Sequence, residues 1–118
     1  MGISFSGKVV VVTGGAMGIG AATSELLCKL GARVAILDRD ETHGSALAQR
    51  LSYLGYSASF YACDVAEVDS TRYAIDAAAQ TYGAINVLVH SAGIQRYGDA
   101  LSSSIDLWHE TLGINING

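Results

Sequence analysis

The sequence predicts an α/β domain built on a doubly wound parallel sheet. Two observations carry that expectation. Short apolar runs, rich in β-branched residues, alternate four times with segments whose apolar residues recur at helical spacing, and three of the four helical segments close on a glycine. The chain is also half apolar with no proline and fourteen glycines among 118 residues, which suits one packed domain with tight turns and not a disordered or fibrous chain.

In chain order, Val9 to Thr13 is β-branched throughout and bounded by Lys8 and a glycine pair, the pattern of a strand buried on both faces. Ile19, Ala22, Leu26 and Leu30 then share helical spacing, and Gly31 stands where a left-handed residue closes a helix. Val34 to Leu37 forms the second strand, and Asp38 and Asp40 follow it with carboxylates suited to capping the next helix. Leu47, Leu51 and Leu54 mark one face of that helix, which Gly55 closes; Ser57 to Cys63 reads as the third strand. Ile75, Ala78 and Tyr82 give the third helix its stripe, ending at Gly83, and Val87 to Val89 is the fourth strand. From Ser102 onward Ile105, Trp108, Leu112 and Ile116 fall on one helical face, with Ser103 or Ser104 as N-cap.

Composition narrows the function. Seven basic against eleven acidic residues give a net charge of -4 with no basic block, so nucleic acid is not an expected partner. The apolar runs are far shorter than a membrane helix requires, and no cleavage site follows the N-terminal residues, so a cytoplasmic chain with no membrane partner is expected. Cys28 and Cys63 form no Cys-x-x-Cys pair, and His43, His90 and His109 show no ligand spacing, so no metal site is expected.

The chemistry concentrates at the carboxyl ends of the strands, where such sheets bind ligands. Thr13 to Gly20 reads TGGAMGIG and joins the first strand to the first helix; its glycines permit a tight turn and let backbone N–H groups approach a diphosphate at the helix N-terminus. A P-loop is excluded because no Gly-Lys-Ser/Thr follows. Asp38 ends the second strand near the distance at which a carboxylate accepts hydrogen bonds from an adenosine ribose, and Asp40 is available for the capping role.

Together with Asp64-Val65 after the third strand, Ser-Ala-Gly at 91–93 and INING at 114–118, these motifs resemble the N-terminal half of the short-chain dehydrogenase/reductase family, over essentially the whole chain. The resemblance implies a Rossmann-like, dinucleotide-binding domain over residues 1–118, incomplete at its C-terminus: a sheet truncated after the fourth strand and part of the following helix. It implies NAD as cofactor, with Gly14, Gly18, Ile19 and Gly20 lining the pyrophosphate and Asp38 holding the ribose. Asp64 and Val65 would flank the adenine, and Ala92 and Gly93 would pass beside the cofactor. Asn115 matches the family's catalytic-set asparagine, which holds a water linked to the catalytic lysine; a mid-helix asparagine bonding locally is the plainer alternative.

The implied function is an NAD-dependent oxidoreductase interconverting a small alcohol and a ketone, as a homo-oligomer when complete. This chain would be its cofactor-binding half. The family's Tyr-x-x-x-Lys pair is absent: no lysine stands four residues after any tyrosine, and Lys8 and Lys29 are the only lysines. A non-catalytic dinucleotide-binding or interaction module is therefore the alternative. An adenosylmethionine-dependent methyltransferase would explain a glycine loop and a strand-end acid but not Ser-Ala-Gly plus INING. The family usually has Asn-Asn-Ala-Gly where this chain has His90-Ser91-Ala92-Gly93, which puts the second asparagine's bond within the sheet in doubt. His90, at a strand end, is expected to be a hydrogen-bonded structural residue.

Overall fold

Eight elements alternate along the chain in the computed structural model, which describes residues 2–118. They are β1 (Val9–Thr13), α1 (Gly18–Lys29), β2 (Arg33–Asp38), α2 (Glu41–Tyr53), β3 (Ala58–Ala62), α3 (Val68–Tyr82), β4 (Val87–His90) and α4 (Ile105–Asn115). The four strands form one parallel sheet in the order β3-β2-β1-β4, the arrangement of a Rossmann-like doubly wound fold.

The run of valines in β1 is buried throughout because the sheet is covered on both sides. Val10 and Val12 point to one face, where Val34, Ile36, Leu27, Cys28, Leu47 and Leu51 close a core beneath α1 and α2. Val11 points to the other, with Ala35, Leu37, Cys63, Ala74 and Ala78 beneath α3. Leu51 is completely buried, and removing a side chain of that size from water is worth about 1.5–3 kcal/mol. Gly31, Gly55 and Gly83 each take positive φ past a helix end, as their positions in the sequence predict.

Two expectations need correction. The predicted face of α1 is not the one that packs: Ile19 and Leu26 are exposed, and Gly20, Ser24, Leu27 and Cys28 face inward. The cause is close approach, since a Cβ on Gly20 would overlap the Gly14 carbonyl oxygen, so small residues must turn toward the sheet and rotate the larger ones out. Leu54 lies beyond the last turn of α2 and is also exposed. β4 is an edge strand with Leu88 exposed, since among the described residues no strand pairs with its far side. The stripe Ile105, Trp108, Leu112 and Ile116 does share a face of α4, and that face is open; Ile114 is the residue α4 buries. Among the described residues no helix is long and apolar enough to cross a membrane.

Candidate dinucleotide-binding site

Parallel register brings the strand ends to one rim, with Thr13 opposite Leu37 and His90, and Asp38 opposite Ala62. A cleft of about 510 Å³ opens along it. Gly14, Ile19, Gly20, Asp38, Asp64, Val65, Ala92 and Gly93 all line this cleft, so residues spread over eighty positions of sequence converge. Gly18 begins α1 just outside the lining, in a left-handed conformation, and Asn115, exposed at the end of α4, also lies outside it. Met17, Arg39, Ile94 and Ile114 also line the cleft. Sequence motifs pointed to none of the last three as ligand-facing, although Ile94 directly follows Ser-Ala-Gly and Ile114 opens INING.

The glycine loop is built for close backbone contact. A Cβ on Gly14 would lie 2.7 Å from the backbone N and Cα of Ala92, and one on Gly15 would lie 2.9 Å from the Val12 carbonyl oxygen. The first backbone bond of α1 runs from Ala21 N–H to the Met17 carbonyl, so the N–H groups of Gly18, Ile19 and Gly20 have no intrahelical acceptor. Met17 supplies no side-chain cap, and the first turn carries no acid. This helix end therefore keeps its donors and its positive dipole end for an anion in the cleft.

Asp38 braces the loop from the other side. Its Oδ2 accepts the Ala16 N–H at 3.1 Å and its Oδ1 accepts the Asp40 N–H at 2.9 Å, which fixes the carboxylate while leaving a further lone pair on each oxygen. Asp40 caps α2 through the His43 N–H at 3.0 Å, and its Oδ2 lies 2.7 Å from His43 Nδ1. Those two contacts, the backbone donor foremost, hold the Asp40 carboxyl below the usual range. The Asp64 Oδ1 accepts the Ala66 N–H at 3.0 Å, and Ser70 accepts the Asp64 N–H, so the turn after β3 is tied to the start of α3. Cys63 sits in the cleft wall, where burial pushes its thiol above the usual range.

Ser91 does not take over the sheet-tying role of the family's second asparagine. The Thr13 hydroxyl does so, accepting the N–H of Ser91 at 3.2 Å and of Ala92 at 3.3 Å, with His90 Nδ1 at 2.7 Å. His90 is thus the hydrogen-bonded structural residue expected of it. The Asn115 amide, at the last residue of α4 and not mid-helix, clamps one residue of the neighbouring loop: Oδ1 accepts the Ile94 N–H at 2.7 Å, and Nδ2 donates to the Ile94 carbonyl at 2.8 Å.

A family model described as short chain dehydrogenase matches residues 8–118. The chain is 42% identical over 112 residues to a D-threitol dehydrogenase of Mycolicibacterium smegmatis, covering 95% of this chain and 43% of that protein. It is 36% identical to a zerumbone synthase of Zingiber zerumbet, covering 95% of this chain and 42% of that one. The crystal structure of gox2181 superposes with a TM-score of 0.94 at 31% identity, covering 97% of this chain and 45% of the other. A dehydrogenase/reductase from Sinorhizobium meliloti gives 0.90 at 28% identity, covering 95% and 45%. The chain spans under half the length of these relatives. Matching the family model over nearly all its residues, with the glycine loop and strand-end acids gathered on one rim, the chain belongs to the short-chain dehydrogenase family of oxidoreductases.

Proposed function

We propose that this chain is the cofactor-binding half of an NAD-dependent short-chain oxidoreductase that interconverts an alcohol and a ketone. The observation that carries the reading is the uncapped N-terminus of α1, where Ile19 and Gly20 line the same cleft as Asp38 and no side chain caps the helix. A pyrophosphate would lie on the N–H groups of Gly18, Ile19 and Gly20, with Gly14 leaving room for it. Asp38 would accept hydrogen bonds from the adenosine ribose hydroxyls through its remaining lone pairs, and Asp64 and Val65 would border the adenine. Ala92 and Gly93 would form the floor toward the nicotinamide, and Asn115 would hold that floor through Ile94. The dinucleotide supplies the hydride acceptor or donor when bound. Proton transfer at the substrate oxygen belongs to the family's Tyr-x-x-x-Lys pair, which these 118 residues do not contain.

Preference for NAD over NADP follows from charge. A 2′-phosphate would sit beside Asp38, and like charges so placed disfavour binding by about 1–3 kcal/mol after screening, roughly fivefold to 150-fold. Arg39, next along the chain and lining the cleft, offsets part of that. Calorimetric titration with NAD, NADH, NADP and NADPH tests the reading: the unphosphorylated pair binds more tightly if it is right, and equal or tighter NADP(H) binding refutes the assignment.

A further inference from the structure

The Ser91 side chain has no structural work to do. Its backbone N–H donates to the Thr13 carbonyl at 3.2 Å and to the Thr13 hydroxyl at 3.2 Å, so the chain after β4 is tied to β1 without the Ser91 hydroxyl. The residue is half-buried and lines the strand-end cleft. Among the described residues no group bonds its Oγ, yet no buried side-chain oxygen lacks a partner; this hydroxyl is therefore open to the solvent of the cleft. The Thr13 hydroxyl is the opposite case, since Thr13 is buried and its oxygen is engaged by the Ser91 and Ala92 amides and by His90 Nδ1.

The other polar side chains along the cleft do different chemistry. Asp38, Asp40 and Asp64 accept hydrogen bonds and cannot donate them, Arg39 is an exposed cation, and the Cys63 thiol is a weak donor. Carboxylates suit the ribose hydroxyls and the amino group of an adenosine. Its acceptor atoms, the ribose ring oxygen and the adenine ring nitrogens, need a donor instead, and Ser91 is the one hydroxyl residue in the lining. Ser91 also stands where the glycine loop comes closest, because a Cβ on Gly14 would lie 2.9 Å from the Ser91 carbonyl carbon. Strand order sets β4 three spacings from β3, about 14 Å. The last turn of α4 bridges that distance: Asn115 holds Ile94, and a Cβ on Gly118 would lie 2.7 Å from Val65 Cγ2. The segment after β4 is thereby drawn toward the Asp64-Val65 end of the cleft.

We infer that the Ser91 hydroxyl is a cofactor-binding group, donating a hydrogen bond to an acceptor atom on the adenosine diphosphate half of the dinucleotide. The inference rests on the dinucleotide reading above. Calorimetric titration of the full chain with NAD and with ADP, in wild type, Ser91→Ala and Ser91→Thr, tests it. Ser91→Ala removes the hydroxyl and keeps the backbone N–H; Ser91→Thr keeps both. Ser91→Ala should weaken NAD and ADP by the same factor, about threefold to tenfold, the loss of one hydrogen bond. Its melting temperature without ligand should match wild type, because no protein partner is lost, and Ser91→Thr should bind both ligands as wild type does. Unchanged NAD affinity in Ser91→Ala shows a hydroxyl that bonds water alone and overturns the inference. Weakening of NAD without weakening of ADP puts the hydroxyl on the nicotinamide half and overturns it too. So does equal weakening in Ser91→Ala and Ser91→Thr, which makes shape and not the hydroxyl the cause. A wild-type chain that binds neither NAD nor ADP refutes the dinucleotide reading itself, and the inference falls with it.

Discussion

Replacing Gly20 by alanine tests the glycine loop at the point where helix and loop come closest. The new Cβ would overlap the Gly14 carbonyl oxygen and lie 2.8 Å from the Gly14 carbonyl carbon and 3.0 Å from the Gly15 Cα, all backbone atoms with no rotamer to escape into. The helix start and the loop must separate by about 1 Å, and overpacking of this kind costs about 1–3 kcal/mol. If that cost falls on the cleft, NAD affinity drops by about fivefold to 150-fold. The control is Gly55→Ala: Gly55 has φ 91° and nothing within 4 Å, so alanine there strains only the turn after α2, remote from the cleft. Gly55→Ala should lower the melting temperature without changing the dissociation constant, whereas Gly20→Ala should weaken binding in calorimetric titration while the far-ultraviolet dichroism stays native. Wild-type affinity in a folded Gly20→Ala protein would refute the argument that the close approach shapes the site.

The remaining predictions concern chemistry, association and pH. The 118-residue chain should show no turnover of secondary alcohols by reduced-nicotinamide absorbance, because loss of a positioned acid/base alone removes about 10²–10⁴ in rate; ordinary enzyme rates would contradict this. Leu88 on the unpaired edge of β4 and the open face of Trp108, Leu112 and Ile116 should make the isolated chain self-associate, seen as concentration-dependent sedimentation; a monomer at all concentrations, with β4 amides protected from exchange, would contradict it. Asp40 is depressed by the His43 N–H and then by the imidazole, so its cap stabilises above the unfolded carboxylate range and is lost as pH falls through its folded value. The gap in melting temperature between wild type and Asp40→Asn should therefore be present near neutral pH and close on acidification; a constant gap would contradict the charge-assisted cap.

Much of the architecture was legible because single residues report it directly. Five β-branched residues in β1 announce a doubly covered strand, and Gly31, Gly55 and Gly83 announce helix ends that need positive φ. Periodicity was less informative where packing is close. In α1 the inward face begins with Gly20 and Ser24, which carry no hydrophobic signal and leave only Leu27 and Cys28 to mark it, so the exposed Ile19 and Leu26 looked like the core face. In α4 the stripe was read correctly, but periodicity says only that residues share a face and not what that face meets. The cleft was legible as a set of motifs on strand ends, since parallel topology brings those ends to one rim. Its internal ties were not: Thr13 meets His90 across 77 residues and Ala92 across 79, and Asn115 holds a backbone 21 residues away. Such contacts depend on register and depth, which single-residue propensities do not encode.

The central claim is that the N-terminus of α1 receives the pyrophosphate of a nicotinamide dinucleotide. Amide chemical-shift mapping of the isotope-labelled chain during NAD titration tests it most directly. The account predicts saturable shifts largest at the N–H groups of Gly18, Ile19 and Gly20, with smaller ones at Asp38, Asp64 and Ala92, and none on the exposed face of α4. No saturable response, or shifts confined to surfaces away from the glycine loop, would contradict it.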